Sequence, residues 1–248
     1  NTIKGLIVNG FIATPQGGFG VLLYGETVKN NTITNNYIGT NYNATAAGGT
    51  TSSNNTVAGI ALQFGASTNV IENNVISGNG GYGIYSFTSV GFITPLRQSG
   101  NIIRNNKIGV NGDGSAALGN RNSGVYVGDN SVDTQIGPGN VISGNGATGA
   151  DTVFGVNIGG YLGTQSAFIS GTRVTGNKIG TDATGTKALP NAGGGVQVTS
   201  STGTVIGGAG RNPATPGCTA NLISGNSIAG VRLKDSIGFG AGTSNNVV

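Results

Sequence analysis

The chain has no histidine, methionine or tryptophan, a single cysteine, and charge on only 8% of its 248 residues. Each shortage narrows the field. Without histidine, the commonest general acid–base and metal-binding side chain is missing. Cys218, in the loop from Pro213 to Thr219, has no second thiol to pair with inside the chain; it reads as an incidental thiol, with an intermolecular link as the alternative. No run of about eighteen apolar residues occurs, so no membrane span is expected. No dense basic cluster interleaved with aromatics occurs either, so no nucleic-acid partner is expected. An initiator methionine and a charged-then-apolar leader are both missing, which reads as a processed or partial product.

Carboxylates are also scarce: Glu26, Glu72, Asp113, Asp129, Asp133, Asp151, Asp182 and Asp235. Glycoside hydrolysis needs two of them within roughly 5–10 Å. Asp129 and Asp133 are the closest pair in sequence, but they flank a turn and nothing places a third acid beside them. The expectation is therefore a chain that is not an enzyme, with no catalytic residues, no cofactor and no metal. Asn111-Gly-Asp-Gly-Ser115 carries hard-cation ligand types, yet one carboxylate is too few for calcium, and Asx beside Gly is ordinary turn chemistry.

What is abundant is glycine, 49 residues, and a repeat that keeps aliphatic residues in step with it. Glycine at this level with little charge suggests disorder, but a regular aliphatic period excludes that reading. One kernel, Asn-x-Ile, recurs at Asn36, Asn74, Asn106, Asn140, Asn177 and Asn221. A second, Gly followed by Ile or Val, recurs at Gly20, Gly59, Gly83, Gly124, Gly155, Gly195 and Gly230. Those glycines are separated by 39, 24, 41, 31, 40 and 35 residues, a long class of nearly constant length alternating with a short, variable one. The long intervals contain Ile38-Gly39, Ile108-Gly109 and Ile179-Gly180, each followed by a polar excursion. The short ones contain Ile-Ser-Gly-Asn at Ile76, Ile142 and Ile223.

In a strand, residues i and i+2 share a face, so the Asn and Ile of the first kernel point the same way. Segments this short do not bury that face alone. Stacked copy on copy, each Ile meets an identical neighbour about 4.8 Å away. An inward asparagine is costly unless its amide is bonded, and stacking supplies the partner in the next copy. Asn36, Asn74, Asn106, Asn140, Asn177 and Asn221 are thus expected to form a structural ladder.

The pattern resembles the right-handed parallel β-helix repeat proteins, in particular the large secreted bacterial surface proteins. The residues that carry the resemblance are Asn140 to Asn145, Asn221 to Asn226, Ile179-Gly-Thr-Asp-Ala-Thr-Gly-Thr186 with Ala188-Leu189, and Ala117-Leu-Gly-Asn120. It implies an all-β fold, a single-stranded right-handed solenoid of about seven or more turns with uncapped ends, in which residues 1–248 form one domain of a larger or assembling protein. It also implies an extracellular or cell-surface location.

Two functional expectations follow. The first is a structural or adhesive module, a surface adhesin or filament component stacking end to end with copies of itself or flanking repeats. The second is a glycan-binding or polysaccharide-degrading β-helix of the lyase or tailspike type. For the second, Tyr85 and Tyr126 hold equivalent slots two residues after their glycines, and Tyr24, four residues after its own, extends them into a sugar-stacking platform. The net charge of +4 would favour acidic glycans. Lys107 and Lys178 fill the middle slot of the first kernel and read as a solvated face.

Overall fold

The computed structural model describes residues 1–12, 17–49, 54–88, 96–146, 152–160, 168–208, 219–234 and 243–248. Cys218, Asp151 and Asp235 lie outside the described residues. Three seven-stranded parallel sheets run side by side, and the chain visits them in the same order on every rung. The first sheet begins with Thr2–Lys4 and ends with Val205–Ile206; the second runs from Ile7–Val8 to Leu222–Ile223. The third is built from Phe19–Tyr24, Ala58–Gln63, Tyr82–Ser86, Val125–Val127, Phe154–Gly159, Gly194–Thr199 and Ala229–Lys234. A further two-stranded pairing joins Gln98–Ser99 to Ser131–Val132. The fold is the right-handed parallel β-helix that the repeats predicted.

Register is set by the aliphatic columns. Ile33, Ile71, Ile103 and Ile136 lie directly over one another in the first sheet, as do Ile38, Ile76, Ile108, Ile142 and Ile179 in the second. All are fully buried. Removing each such side chain from water contributes about 1.5–3 kcal/mol, so a slip of one residue, which would turn a whole column outward, is strongly disfavoured.

Most corners are made alike: a left-handed residue makes the bend, and the next residue points a polar side chain inward. Between the first and second sheets the left-handed residues include Asn35, Asn73 and Asn105, at φ 54–56°, and Gly139 and Gly176. Asparagine and glycine are the residues that adopt this conformation most readily. The Asn-Asn pairs at 35–36, 73–74 and 105–106 therefore divide the labour, the first bending the chain and the second bonding across rungs.

The three polar excursions leave the corner after the second sheet on alternate rungs. Each is closed by an antiparallel bridge, Thr40 with Ala47, Val110 with Ala117 and Thr181 with Ala188. They stack on one another, the Gly112 N–H donating to the Ala44 carbonyl at 2.9 Å and the Ala183 N–H to the Gly114 carbonyl at 2.9 Å. Val110, Val141, Leu189 and Ala183 make a small apolar cluster. Lys178 is not a freely solvated side chain: it is half-buried, and its Nζ donates to the Ala183 carbonyl at 2.6 Å.

Candidate functional site

The six asparagines of the first kernel stand on consecutive rungs. Their side-chain amides donate to the next Oδ1 at 3.0 Å from Asn36 to Asn74, 3.0 Å from Asn74 to Asn106, 3.2 Å from Asn106 to Asn140, 2.9 Å from Asn140 to Asn177 and 3.0 Å from Asn177 to Asn221. The second amide hydrogen goes the other way, to a backbone carbonyl such as Ile71 from Asn106 at 2.8 Å. Both amide hydrogens and the oxygen are thereby used, which removes the cost of burying the group.

Two further columns escaped the sequence reading. One joins Asn55, Asn79, Asn120, Asn145, Asn191 and Asn226, with amide contacts of 2.7–2.9 Å. Its signal was present in the Ile-Ser-Gly-Asn copies, whose last residue feeds this column; the excursions disguise it by delaying the same asparagine on alternate rungs. It also explains the second kernel. A Cβ on Gly124 would lie 2.8 Å from Asn145 Nδ2, from the Gly155 carbonyl and from Ile142 Cγ2, so the glycine makes room for the ladder. The other column runs Asn1, Asn31, Asn69 and Asn101. Thr134, Thr172 and Thr204 hold the same slot further along, and the buried hydroxyls of Thr134 and Thr172 have no partner among the described residues.

The outward side of the third sheet carries a different column. Across successive strands it reads Leu22, Ala61, Tyr85, Tyr126, Asn157, Gln197 and Arg232. Tyr85 and Tyr126 are brought together as stacked rings 5.4 Å apart at 16°, with Tyr82 5.0 Å from Tyr85 and 5.2 Å from Tyr126. Tyr24 is not part of this group. It is exposed and lies 4.5 Å from Phe64 instead. Tyr126 is buried, and Tyr85 and Tyr82 are half-buried. The Tyr126 hydroxyl donates to the Gly159 carbonyl at 2.8 Å, which fixes that ring.

Beyond the rings the column turns polar. Gln197 Nε2 donates to Asn157 Oδ1 at 3.1 Å, and Arg232 Nε donates to Gln197 Oε1 at 2.7 Å. The Arg232 guanidinium also sits 4.6 Å over the Phe154 ring, held by cation–π attraction. Asn157 and Arg232 are half-buried and Gln197 is nearly covered. The tyrosines, the two amides and the guanidinium thus stand in line on consecutive strands.

The described carboxylates are spread over the coil. Glu72 pairs with Arg104 at 2.8 Å on the first sheet. Asp129 is buried at a corner and Asp133 is exposed. Asp113 and Asp182 hold excursions closed. Asp113 is more acidic than an ordinary aspartate because the Ser115 hydroxyl and N–H donate to it. At Asp182 burial opposes the charge, but the Thr184 hydroxyl and the N–H groups of Lys187, Thr186 and Gly185 outweigh it and lower the pKa. Among the described residues no three metal-ligating side chains come together, and no helix is long and apolar enough to cross a membrane.

A family profile described as "Right handed beta helix region" matches residues 1–159. The chain belongs to that family. No curated protein matches the sequence. Among solved structures this β-helix is similar to the mannuronan C-5 epimerase AlgE4 A-module of Azotobacter vinelandii, at 16% identity and TM-score 0.49, covering 98% of this chain and 57% of that one. It is similar to a double mutant of the periplasmic alginate epimerase AlgG at 16% identity and TM-score 0.43, covering 94% and 38%. A third is the alginate lyase of Paenibacillus sp. str. FPU-7, at 14% identity and TM-score 0.39, covering 96% and 80%. This β-helix thus spans 38–57% of the length of those two epimerases. These matches correct the expectation that the chain is not an enzyme: those solved structures of similar fold are two epimerases and a lyase. At such identities the likeness is one of fold.

Proposed function

We propose that this β-helix is an extracytoplasmic module that engages a polysaccharide along the outward side of its third sheet. One observation carries the reading, the in-line column of Tyr85, Tyr126, Asn157, Gln197 and Arg232. A linear glycan repeats ring edges and hydroxyls along its length, and the column repeats complementary groups once per rung. Amides and a guanidinium already fixed by their neighbours lose little entropy on binding, which is the condition for a preorganised site. Arg232 and the net charge of +4 favour an acidic polymer. The enzymes of similar fold are named for alginate, which makes that polymer the first probe.

Affinity electrophoresis in gels containing alginate or a neutral glucan tests this. Retardation by alginate, reduced at least tenfold in Gln197→Ala and Arg232→Ala, is the expected result. Equal migration in every gel would remove the proposal, and a change in the polymer after incubation would show that engagement extends to chemistry.

A second reading is favoured by the asparagine columns. The β-helix is then a structural or adhesive part of an extracellular surface, cohering through the edges of its outermost rungs with copies of itself or with flanking repeats. The polar columns supply the complementarity for such contacts.

A further inference from the structure

The two amides of the third-sheet column have fixed orientations, and the arginine beside them fixes both. A guanidinium donates hydrogen bonds and accepts none. Arg232 Nε donates to Gln197 Oε1 at 2.7 Å, and Nη2 donates to the same oxygen. With Oε1 committed, Gln197 turns Nε2 to the preceding rung, where it donates to Asn157 Oδ1 at 3.1 Å. Asn157 therefore spends its oxygen on Gln197 and holds Nδ2 on the side away from it.

The arginine is itself held. Its guanidinium lies 4.6 Å over the ring of Phe154, which is fully buried. That ring reaches across Gly194, where a Cβ would lie 2.6 Å from Phe154 Cε1. The donor chain thus runs from Arg232 through Gln197 and ends at Asn157. Asn157 Nδ2 has no hydrogen-bond partner among the described residues, and the side chain is only half-buried. Both amide oxygens are used, so what Asn157 offers a ligand is an N–H donor. On the neighbouring strand stands Tyr126, whose hydroxyl hydrogen already goes to the Gly159 carbonyl at 2.8 Å.

We infer that Asn157 selects for an acidic polymer, its Nδ2 donating to a carboxylate oxygen of a uronate unit, with Gln197 and Arg232 as positioning residues that hold the amide in this sense. The inference rests on the reading of this sheet as a polysaccharide site and names the residue and the ligand group that carry the selectivity. A sugar hydroxyl accepting from Asn157 brings a hydrogen of its own to a place where both amide oxygens are occupied. A carboxylate brings none, and a charged acceptor makes the stronger bond.

Affinity electrophoresis, with mobilities referred to gels without polymer, tests the assignment. Asn157→Asp keeps the bond from Gln197 Nε2 but puts a carboxylate oxygen where the donor was, and Asn157→Leu removes the donor without adding charge. Both should weaken retardation by alginate about tenfold or more. Gln197→Glu offers Asn157 an acceptor and so turns its amide over; it should lose alginate to the same extent with Asn157 intact. Gln135→Glu, which adds the same charge at an exposed position of the first sheet, should bind as wild type. Circular dichroism and the thermal midpoint verify that each variant is folded. Binding that survives Asn157→Leu overturns the assignment and leaves the polysaccharide reading standing, and full binding by Gln197→Glu shows that Gln197 does not position the amide. Equal losses in Gln135→Glu and Asn157→Asp would reduce the effect to net charge and overturn it as well. Stronger retardation of wild type by dextran sulfate than by alginate refutes the choice of a carboxylate. If alginate does not retard wild type at all, the polysaccharide reading fails and the inference falls with it.

Discussion

At the scale of single residues the coil is governed by where an asparagine and a glycine meet. Gly124 sits under the Asn145 amide with three atoms 2.8 Å from where its Cβ would be, and its φ is not left-handed, so the constraint is space and nothing else. Gly230, at the same slot in the last described strand, has its nearest such atom at 3.6 Å. Gly124→Ala should therefore cost about 1–3 kcal/mol by forced displacement, and Gly230→Ala far less. Urea unfolding of the two variants measures the difference; equal losses would show that the ladder does not need the glycine. Thr134 and Thr172 mark the opposite situation, in which a hydroxyl takes an asparagine's place and finds no partner among the described residues.

At the scale of elements, the three excursions are one design written in three chemistries. Asn41, Asn111 and Asp182 open them, and each Oδ1 accepts the N–H groups four and five residues on, at 2.9–3.2 Å. Only the third is ionisable at that position. A carboxylate held more acidic in the folded chain than in the unfolded one contributes stability that is complete above the ordinary aspartate range, near 3.9, and is lost as pH falls through the depressed folded value. Protection of the Thr186 and Lys187 amides, normalised to intrinsic exchange, should accordingly fall on acidification below that range, while that of Thr45 and Ala46 on Asn41 holds. Asp182→Asn should erase the difference, and identical profiles for the two loops in the parent chain would contradict the account.

At the scale of the whole molecule, each rung touches only its neighbours, so stability is close to a sum along one axis. A defect in the middle then uncouples two halves, whereas one at an edge removes little. Asn106→Ala deletes ladder bonds to Asn74 and Asn140 and strands buried N–H groups on Asn74. The expected loss is about 2–4 kcal/mol with a broadened denaturation transition. Asn1→Ala, which ends a column through one bond to Asn31, should cost less than about 1 kcal/mol. A midpoint for Asn106→Ala no lower than that for Asn1→Ala would show that the column does not hold the coil together.

The sequence by itself determined the coil and its register, because the Asn-x-Ile and Gly-Val kernels repeat with the two-residue period of a strand and allow only stacking to bury them. It also showed, through the alternating glycine separations, which corners carry excursions. It did not reveal that three columns of polar residues run inside, since asparagines reaching one column after three residues on one rung and after twelve on the next look unrelated until the chain is folded. Nor did it join Tyr85 and Tyr126 to Asn157, Gln197 and Arg232, or separate Tyr24 from them. Those residues lie more than thirty positions apart, and only the parallel pairing of whole rungs, a long-range property of the backbone, sets them in line.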